Sequence, residues 1–182
     1  MKVKVFFRVL CVVSIVFLLV SFSFASVLVG KVVDVDDGDT ITVWNEKGYY
    51  KVRLAGIDTP ETSRNAKFKR DTTKVYINGE FNIFIKVPPD MLLEIGYQAK
   101  DVMRRLVLGK EVTVEIIDVD RYRRNVGWVW LGSKGNVLVN EYMVSRGLAR
   151  PYMLRGLYAG RIKEAEKKAK AQRLGIYRYL EK

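Results

Sequence analysis

Three β-rich runs stand close together between residues 27 and 57, and they limit what the rest of the chain can build. Val27 to Val35 is dense in valine, Thr40 to Trp44 alternates, and Tyr49 to Ile57 alternates through Tyr50, Val52 and Leu54. Lys47-Gly48 supplies a hairpin turn between the second and third runs. A helix is expected from Asp90 to Leu108, where Ile95, Ala99, Val102, Met103 and Leu106 keep helical spacing and Gly109 stops it. Two further strands follow, Glu111 to Val119 and Val126 to Leu131. A turn at Lys134-Gly135-Asn136 leads to a brief helix from Val139 to Arg146, closed by Gly147. The last helix, Gly156 to Arg173, sets Tyr158, Ile162, Ala165 and Ala169 on one face. Its other face carries Lys163, Lys167, Lys168 and Lys170, a solvated surface in the simplest reading and a substrate contact in the alternative. Three strands, a helix, two strands and more helix give an α+β class: a five-stranded OB-type β-barrel with about three packed helices.

Between the third strand and the long helix lies a segment that the barrel does not need. Ser63 to Lys74 is polar and basic without a clear period and is expected to be a mobile loop. Val75-Tyr76-Ile77, Asn78-Gly79 and Phe81 to Val87 follow as an inserted β-hairpin, ended by Pro88-Pro89. Residues 63–89 are therefore assigned to a loop-and-hairpin insertion within a domain spanning 26–182.

The first 25 residues have a different purpose. Lys2, Lys4 and Arg8 precede an apolar run from Val9 to Val20, and Ser23 and Ala25 are small enough for a signal-peptidase site. Cleavage before Ser26 is expected, with an uncleaved anchor as the alternative. Both place the domain outside the cytoplasm: secreted, periplasmic or on the cell envelope. The single cysteine, Cys11, lies in this leader, so the mature domain has no disulfide. After cleavage no stable membrane association is expected; no protein partner is implied and a monomer is expected.

Composition then narrows the chemistry. The chain has no histidine, which removes Ser-His-Asp and Cys-His catalysis and imidazole zinc sites. Losing Lys2, Lys4 and Arg8 takes the net charge from +12 to +9, so a polyanionic partner fits: nucleic acid, anionic membrane or acidic polysaccharide. Two acidic turns frame the third strand, Asp37-Gly38-Asp39-Thr40 and Asp58-Thr59-Pro60-Glu61-Thr62. Asp39 and Asp58 can give two carboxylates to one hard divalent cation, leaving room for water and a phosphate oxygen. Taken singly, each segment is also an ordinary turn. Arg53 sits within an apolar strand, where a charge is costly unless it faces a polar site. Arg124 lies in the basic turn Asp120-Arg121-Tyr122-Arg123-Arg124-Asn125. Two guanidiniums converging on a phosphodiester would offset the charge on its equatorial oxygens. Strict pleating sets Arg53 and Asp58 on opposite faces, so their meeting requires a bend, and Gly56 is the residue to supply it.

In these stretches the sequence resembles the staphylococcal-nuclease-like (thermonuclease) family, over nearly all of Val27 to Tyr179. The resemblance is carried by Val35 to Thr40, Val52 to Thr62 and Asp120 to Arg124. Weaker support comes from Val139-Asn140-Glu141, Arg146-Gly147-Leu148-Ala149 and the stretch from Ala165-Glu166 to Tyr177. It implies that Asp39, Asp58 and the Thr59 carbonyl bind Ca²⁺, that Arg53 and Arg124 clamp the scissile phosphate, and that Glu61 takes a proton from the attacking water or orients it. It further implies DNA and RNA as substrates, hydrolysed on the 5′ side of the phosphate to leave 3′-phosphate ends. Tyr122 and Tyr152 match positions near the bound nucleotide, with surface packing the alternative for both. Arg123 stands where the family has glycine; at φ > 0 it would carry about 1 kcal/mol of strain, yet it could add a phosphate contact. The insertion at 63–89 replaces a short mobile basic loop. A non-catalytic OB-fold nucleic-acid-binding protein of the cell exterior is the alternative function. An envelope domain binding anionic polymer explains the charge but not the paired acidic turns.

Overall fold

The computed structural model describes residues 26–73 and 87–179. The expected leader over 1–25, and all of the expected hairpin except Val87, lie outside the described residues. Strands β1 (Ser26–Asp37), β2 (Thr40–Asn45) and β3 (Gly48–Leu54) form an antiparallel meander. The first half of β1 pairs with β5 (Glu111–Val119), the second half with β2. Register shifts between Val32 and Asp34 and between Val35 and Asp37 bend β1 as it passes from one neighbour to the other. Strand β6 (Asn125–Leu131) pairs antiparallel with β5 and parallel with β3, so β3-β2-β1-β5-β6 closes as a five-stranded barrel. A two-residue strand, β7 (Val137–Leu138), extends the sheet beyond β6.

The barrel interior is filled by alternate residues. Leu28, Val32, Val35, Ile41, Val43, Val52, Leu54, Val112, Val114 and Val129 are all buried. Each such side chain contributes about 1.5–3 kcal/mol on leaving water, the main stabilising force in a domain without a disulfide. Strand β6 is buried on its outer face too. Trp128 and Trp130 both meet Tyr158 edge-on, with ring centroids 5.4 Å apart. That outer layer is made by α3 (Val139–Ser145) and α4 (Ala159–Ala171), while α2 (Pro89–Val107) packs against β1. The expected α+β class, the barrel and three packed helices are all present.

Two expectations need correction. The third β-rich run does not continue to Ile57: β3 stops at Leu54, and Ile57–Asp58 forms a separate strand, β4, paired with β8 (Arg150–Pro151). The stretch from Ser63 is not all loop, because Ala66–Thr73 is a helix, α1. Asn65 caps it by accepting the Phe68 N–H at 2.9 Å. Of its first six residues only Phe68 and Asp71 are buried, and two positions, one of them charged, leave no readable hydrophobic period.

Candidate active site

Strand register assembles the site. Thr40 pairs with Arg53 across β2 and β3, and the Leu54 N–H donates to the Asp39 carbonyl at 2.8 Å. Parallel pairing sets Val52 opposite Asn125, which brings the residue before it, Arg124, to the same end of the barrel. The pairing of Asp58 with Arg150 adds a segment that lies far away in sequence. The bend expected between Arg53 and Asp58 falls at Gly56, which has φ 71 and lies against Trp128, where a side chain would collide. Asn140 braces that bend from beneath: it is fully buried, donates to the Ala55 carbonyl at 2.8 Å and accepts the Val129 N–H at 2.9 Å.

Around the bend the charges interlock. Asp39 and Asp58 are each 4 % exposed. Arg53 bridges them, pairing with Asp39 Oδ2 and, at 3.0 Å, with Asp58 Oδ1. Asp39 Oδ2 also accepts the N–H and hydroxyl of Thr59 at 2.9 and 3.0 Å, and Oδ1 accepts the Thr40 hydroxyl at 3.2 Å. Burial would raise the Asp39 pKa, but Arg53, the Thr59 N–H and Lys67 outweigh it and hold the carboxyl below its usual range. Asp37 goes the other way. Burial first, and then the Asp39 charge, push it up to about 7, while its Oδ1 accepts the Asp39 N–H at 3.0 Å and shapes the turn. Burial and charge thus push the two carboxyls of this turn in opposite directions, Asp39 down and Asp37 up.

Known proteins are similar to this chain in sequence. The sequence matches the staphylococcal nuclease homologue family over residues 51–179, more than half of the chain. The chain belongs to that family. It is 30% identical to a thermonuclease of Staphylococcus hyicus over 151 residues, covering 81% of this chain and 74% of that protein. It is also 30% identical to a micrococcal nuclease of Shigella flexneri, covering 81% and 72% of the two chains. An uncharacterised protein of Methanocaldococcus jannaschii is 31% identical, covering 82% of this chain and 72% of that one.

The residues singled out for this family's chemistry occupy one end of the barrel. Arg124 lies beside Asp39: its Nη1 is 3.4 Å from the Thr40 hydroxyl that donates to Asp39, and Asp120 takes its Nε and Nη2 at 2.8 Å each. Arg123 has φ 62 and is exposed, so this turn does use the left-handed conformation that favours glycine, and the arginine bears the strain. Arg124 keeps its place because Asp120 also accepts its N–H at 3.0 Å. Tyr122 is 64% exposed and is flanked by the guanidiniums of Arg121 and Arg124, 4.8 and 5.4 Å from its ring. Tyr152 is half exposed, and its N–H donates to the Gly56 carbonyl at 2.9 Å, which ties it to the bend.

Two cations that sequence reasoning did not single out complete the site. Arg150 donates to Asp58 Oδ2 at 2.7 and 3.1 Å, and its Nη2 lies 3.6 Å from Asp71 of α1. Lys67, also on α1, reaches Asp58 Oδ1 and the Thr59 carbonyl at 3.0 Å each and Glu61 Oε1 at 2.6 Å. Glu61 Oε2 accepts from Asn65 at 2.5 Å. Burial would lower the Lys67 pKa, but Asp58, Glu61 and Asp39 outweigh it and raise it. Asn65, at a helix cap position, was the available signal for α1 and hence for Lys67.

Hard oxygens suit a divalent cation here, and a cationic group already gathers three of them around Lys67 Nζ. Among the described residues no cluster of three or more His, Cys, Asp or Glu side chains is arranged to hold a metal ion. The set expected from the sequence is Asp39, Asp58 and the Thr59 carbonyl, two carboxylates and a backbone oxygen, sparse enough to leave positions for water and substrate around a hard cation.

Proposed function

We propose that this protein is a nuclease of the cell exterior that uses Ca²⁺ to hydrolyse phosphodiester bonds of DNA and RNA. The observation that carries this reading is the meeting of Arg53 and Arg124 with Asp39 and Asp58 at one end of the barrel, drawn there by the pairing of β2 with β3, β3 with β6 and β4 with β8. The thermonuclease and micrococcal nuclease names of the relatives support the same reaction class.

Asp39, Asp58 and the Thr59 carbonyl would hold the ion, which supplies positive charge to a phosphate oxygen. Arg53 and Arg124 are placed to neutralise the charge that grows on the phosphoryl oxygens as water adds. Glu61 is the carboxylate available to take a proton from that water or to orient it. One water is consumed: its oxygen bonds to phosphorus, the bond to the 5′-side oxygen breaks, and one water proton ends on the departing hydroxyl. The products carry 3′-phosphate ends. Export rests on the leader-like first 25 residues.

Incubating the protein lacking residues 1–25 with single-stranded DNA and with matched RNA, in Ca²⁺ and in chelator, tests the reading. Cleavage that needs Ca²⁺ and leaves 3′-phosphates is expected. Absence of cleavage with every divalent ion tried would leave a non-catalytic nucleic-acid-binding barrel. Asp39→Ala should abolish the Ca²⁺ binding seen by calorimetry.

A further inference from the structure

Lys67 is the cation at this site whose position coincides with the donor set assigned to the metal. Its ammonium lies 3.0 Å from Asp58 Oδ1 and 3.0 Å from the Thr59 carbonyl, two of the three metal donors, and 2.6 Å from Glu61, the water-orienting carboxylate. Arg150 is bonded to the other oxygen of Asp58. Arg53 shares Asp58 Oδ1 with Lys67 and bridges it to Asp39, whereas Lys67 is the cation that joins that oxygen to the Thr59 carbonyl and Glu61. A calcium ion sits about 2.3–2.6 Å from each ligand oxygen. An ammonium gathering the same oxygens would overlap it and repel it, so the two cannot share the position.

We infer that Lys67 is a built-in competitor of the divalent ion: its ammonium fills the metal position in the metal-free protein and must withdraw when metal binds. The inference rests on the metal site proposed above. Withdrawal is within reach of the structure. The Lys67 side chain is 27% exposed and flexible, and α1 is fastened without it by the Asn65 cap, buried Phe68 and the Asp71–Arg150 contact. Two consequences follow from the same movement. Metal affinity is lowered by the fraction of molecules in which Lys67 occupies the position. Glu61 Oε1, bonded to Lys67 until then, becomes free to meet water only when the ion has arrived. Loading the site and releasing its base are one event.

Calorimetric Ca²⁺ titration of the wild type, Lys67→Gln and Lys69→Gln tests this. Lys69 is exposed on the same helix, so it reports what loss of a positive charge elsewhere on α1 does. Lys67→Gln should bind Ca²⁺ about tenfold more tightly or better, and Lys69→Gln much less so. In chelator Lys67→Gln should melt below the wild type, and Ca²⁺ should raise its melting temperature further. If wild type binds Ca²⁺ and Lys67→Gln binds no more tightly, or Lys69→Gln gains as much, the competition is refuted while the metal site stands. If no variant binds the ion, both fail.

A second measurement on the wild type guards against a misfolded variant. Lysine acylation read by mass spectrometry should find Lys67 protected in chelator and several-fold more reactive in saturating Ca²⁺. Unchanged or lower reactivity while calorimetry records binding overturns the inference.

Discussion

Glu115 on β5 and Asp58 on β4 are both buried, 8% and 4% exposed, and they are satisfied in different ways. Glu115 accepts the Tyr158 hydroxyl at 2.9 and 3.2 Å and pairs with one cation, Lys134, at 2.5 Å. Asp58 is bonded to three cations from three separate segments: Arg53, Lys67 and Arg150. A buried carboxylate needs compensation, and one neutral donor with one cation is enough to keep Glu115 in the fold. Three cations exceed that requirement. Removing Lys134 would leave Glu115 with only a hydroxyl, whereas Lys67 can leave Asp58 with two guanidiniums still in place. Redundant pairing makes the contacts of Asp58 exchangeable, as the proposed metal site requires. The Glu115 cluster is closed.

The widest separation between the two clusters should come from Glu61→Ala and Arg124→Ala. Each is expected to lower turnover by about 10²–10³-fold, the usual cost of removing one group that acts on developing charge. The far-UV circular dichroism spectrum should be unchanged. Near-parental rates in both variants would show that the reacting groups lie elsewhere, even in a working nuclease.

Gly96→Ala should come next. Gly96 of α2 lies against the backbone of the Pro60–Glu61 turn, and a methyl group there would collide with the Glu61 carbonyl. The substitution favours helix by about 1 kcal/mol, yet it must push the acidic turn away from the barrel. Displacement near 1 Å costs roughly tenfold to a hundredfold in rate, so turnover should fall while thermal stability changes little. A variant as active as wild type would mean that the turn tolerates the shift and that Glu61 is not finely placed.

Glu115→Gln sharpens the comparison from the closed side. The amide can still accept from Tyr158 but loses the charge that Lys134 meets, so a stability loss of about 1–2 kcal/mol in urea unfolding is expected. Turnover at saturating Ca²⁺ should not change. A large loss of activity would show that the Glu115 cluster and the Asp58 cluster are coupled.

The strands and α2 were legible because their burial repeats in period, and the convergence of Asp39, Arg53, Asp58 and Arg124 follows from strand register once the bend at Gly56 is allowed. What was not legible depends on contacts without a period. Helix α1 buries one aromatic and one aspartate among its first six residues, and the aspartate is tolerable because Arg150, remote in sequence, lies beside it. Arg150 in turn reaches Asp58 across 92 residues through a strand two residues long. Lys67 is a lysine in a polar stretch until the helix directs it at Asp58 and Glu61. The strain at Arg123 was foreseeable only from the glycine that the resemblance expects there.

The smallest effect concerns the hold on Arg124. Burial would raise the Asp120 pKa, but the N–H and side chain of Arg124 and the N–H of Tyr122 outweigh it and lower it from 3.8. A carboxylate with a depressed folded value stabilises the protein above its unfolded pKa, and that contribution fades as pH falls through the folded value. Asp120→Asn should therefore cost about 0.5–1 kcal/mol at neutral pH, in the range of a partly exposed pair. The difference from wild type should shrink as pH falls below 3.8 and through the lowered folded value of Asp120, where both side chains become neutral. Urea unfolding at a series of falling pH values checks this, and a gap that does not narrow with pH would mean that the turn depends on the shape of the side chain and not on its charge. Arg124, with Arg123 strained before it and hydrogen-bonded among the described residues to Asp120 and Thr40, should then lose some aim, and turnover at neutral pH should fall modestly in the same variant.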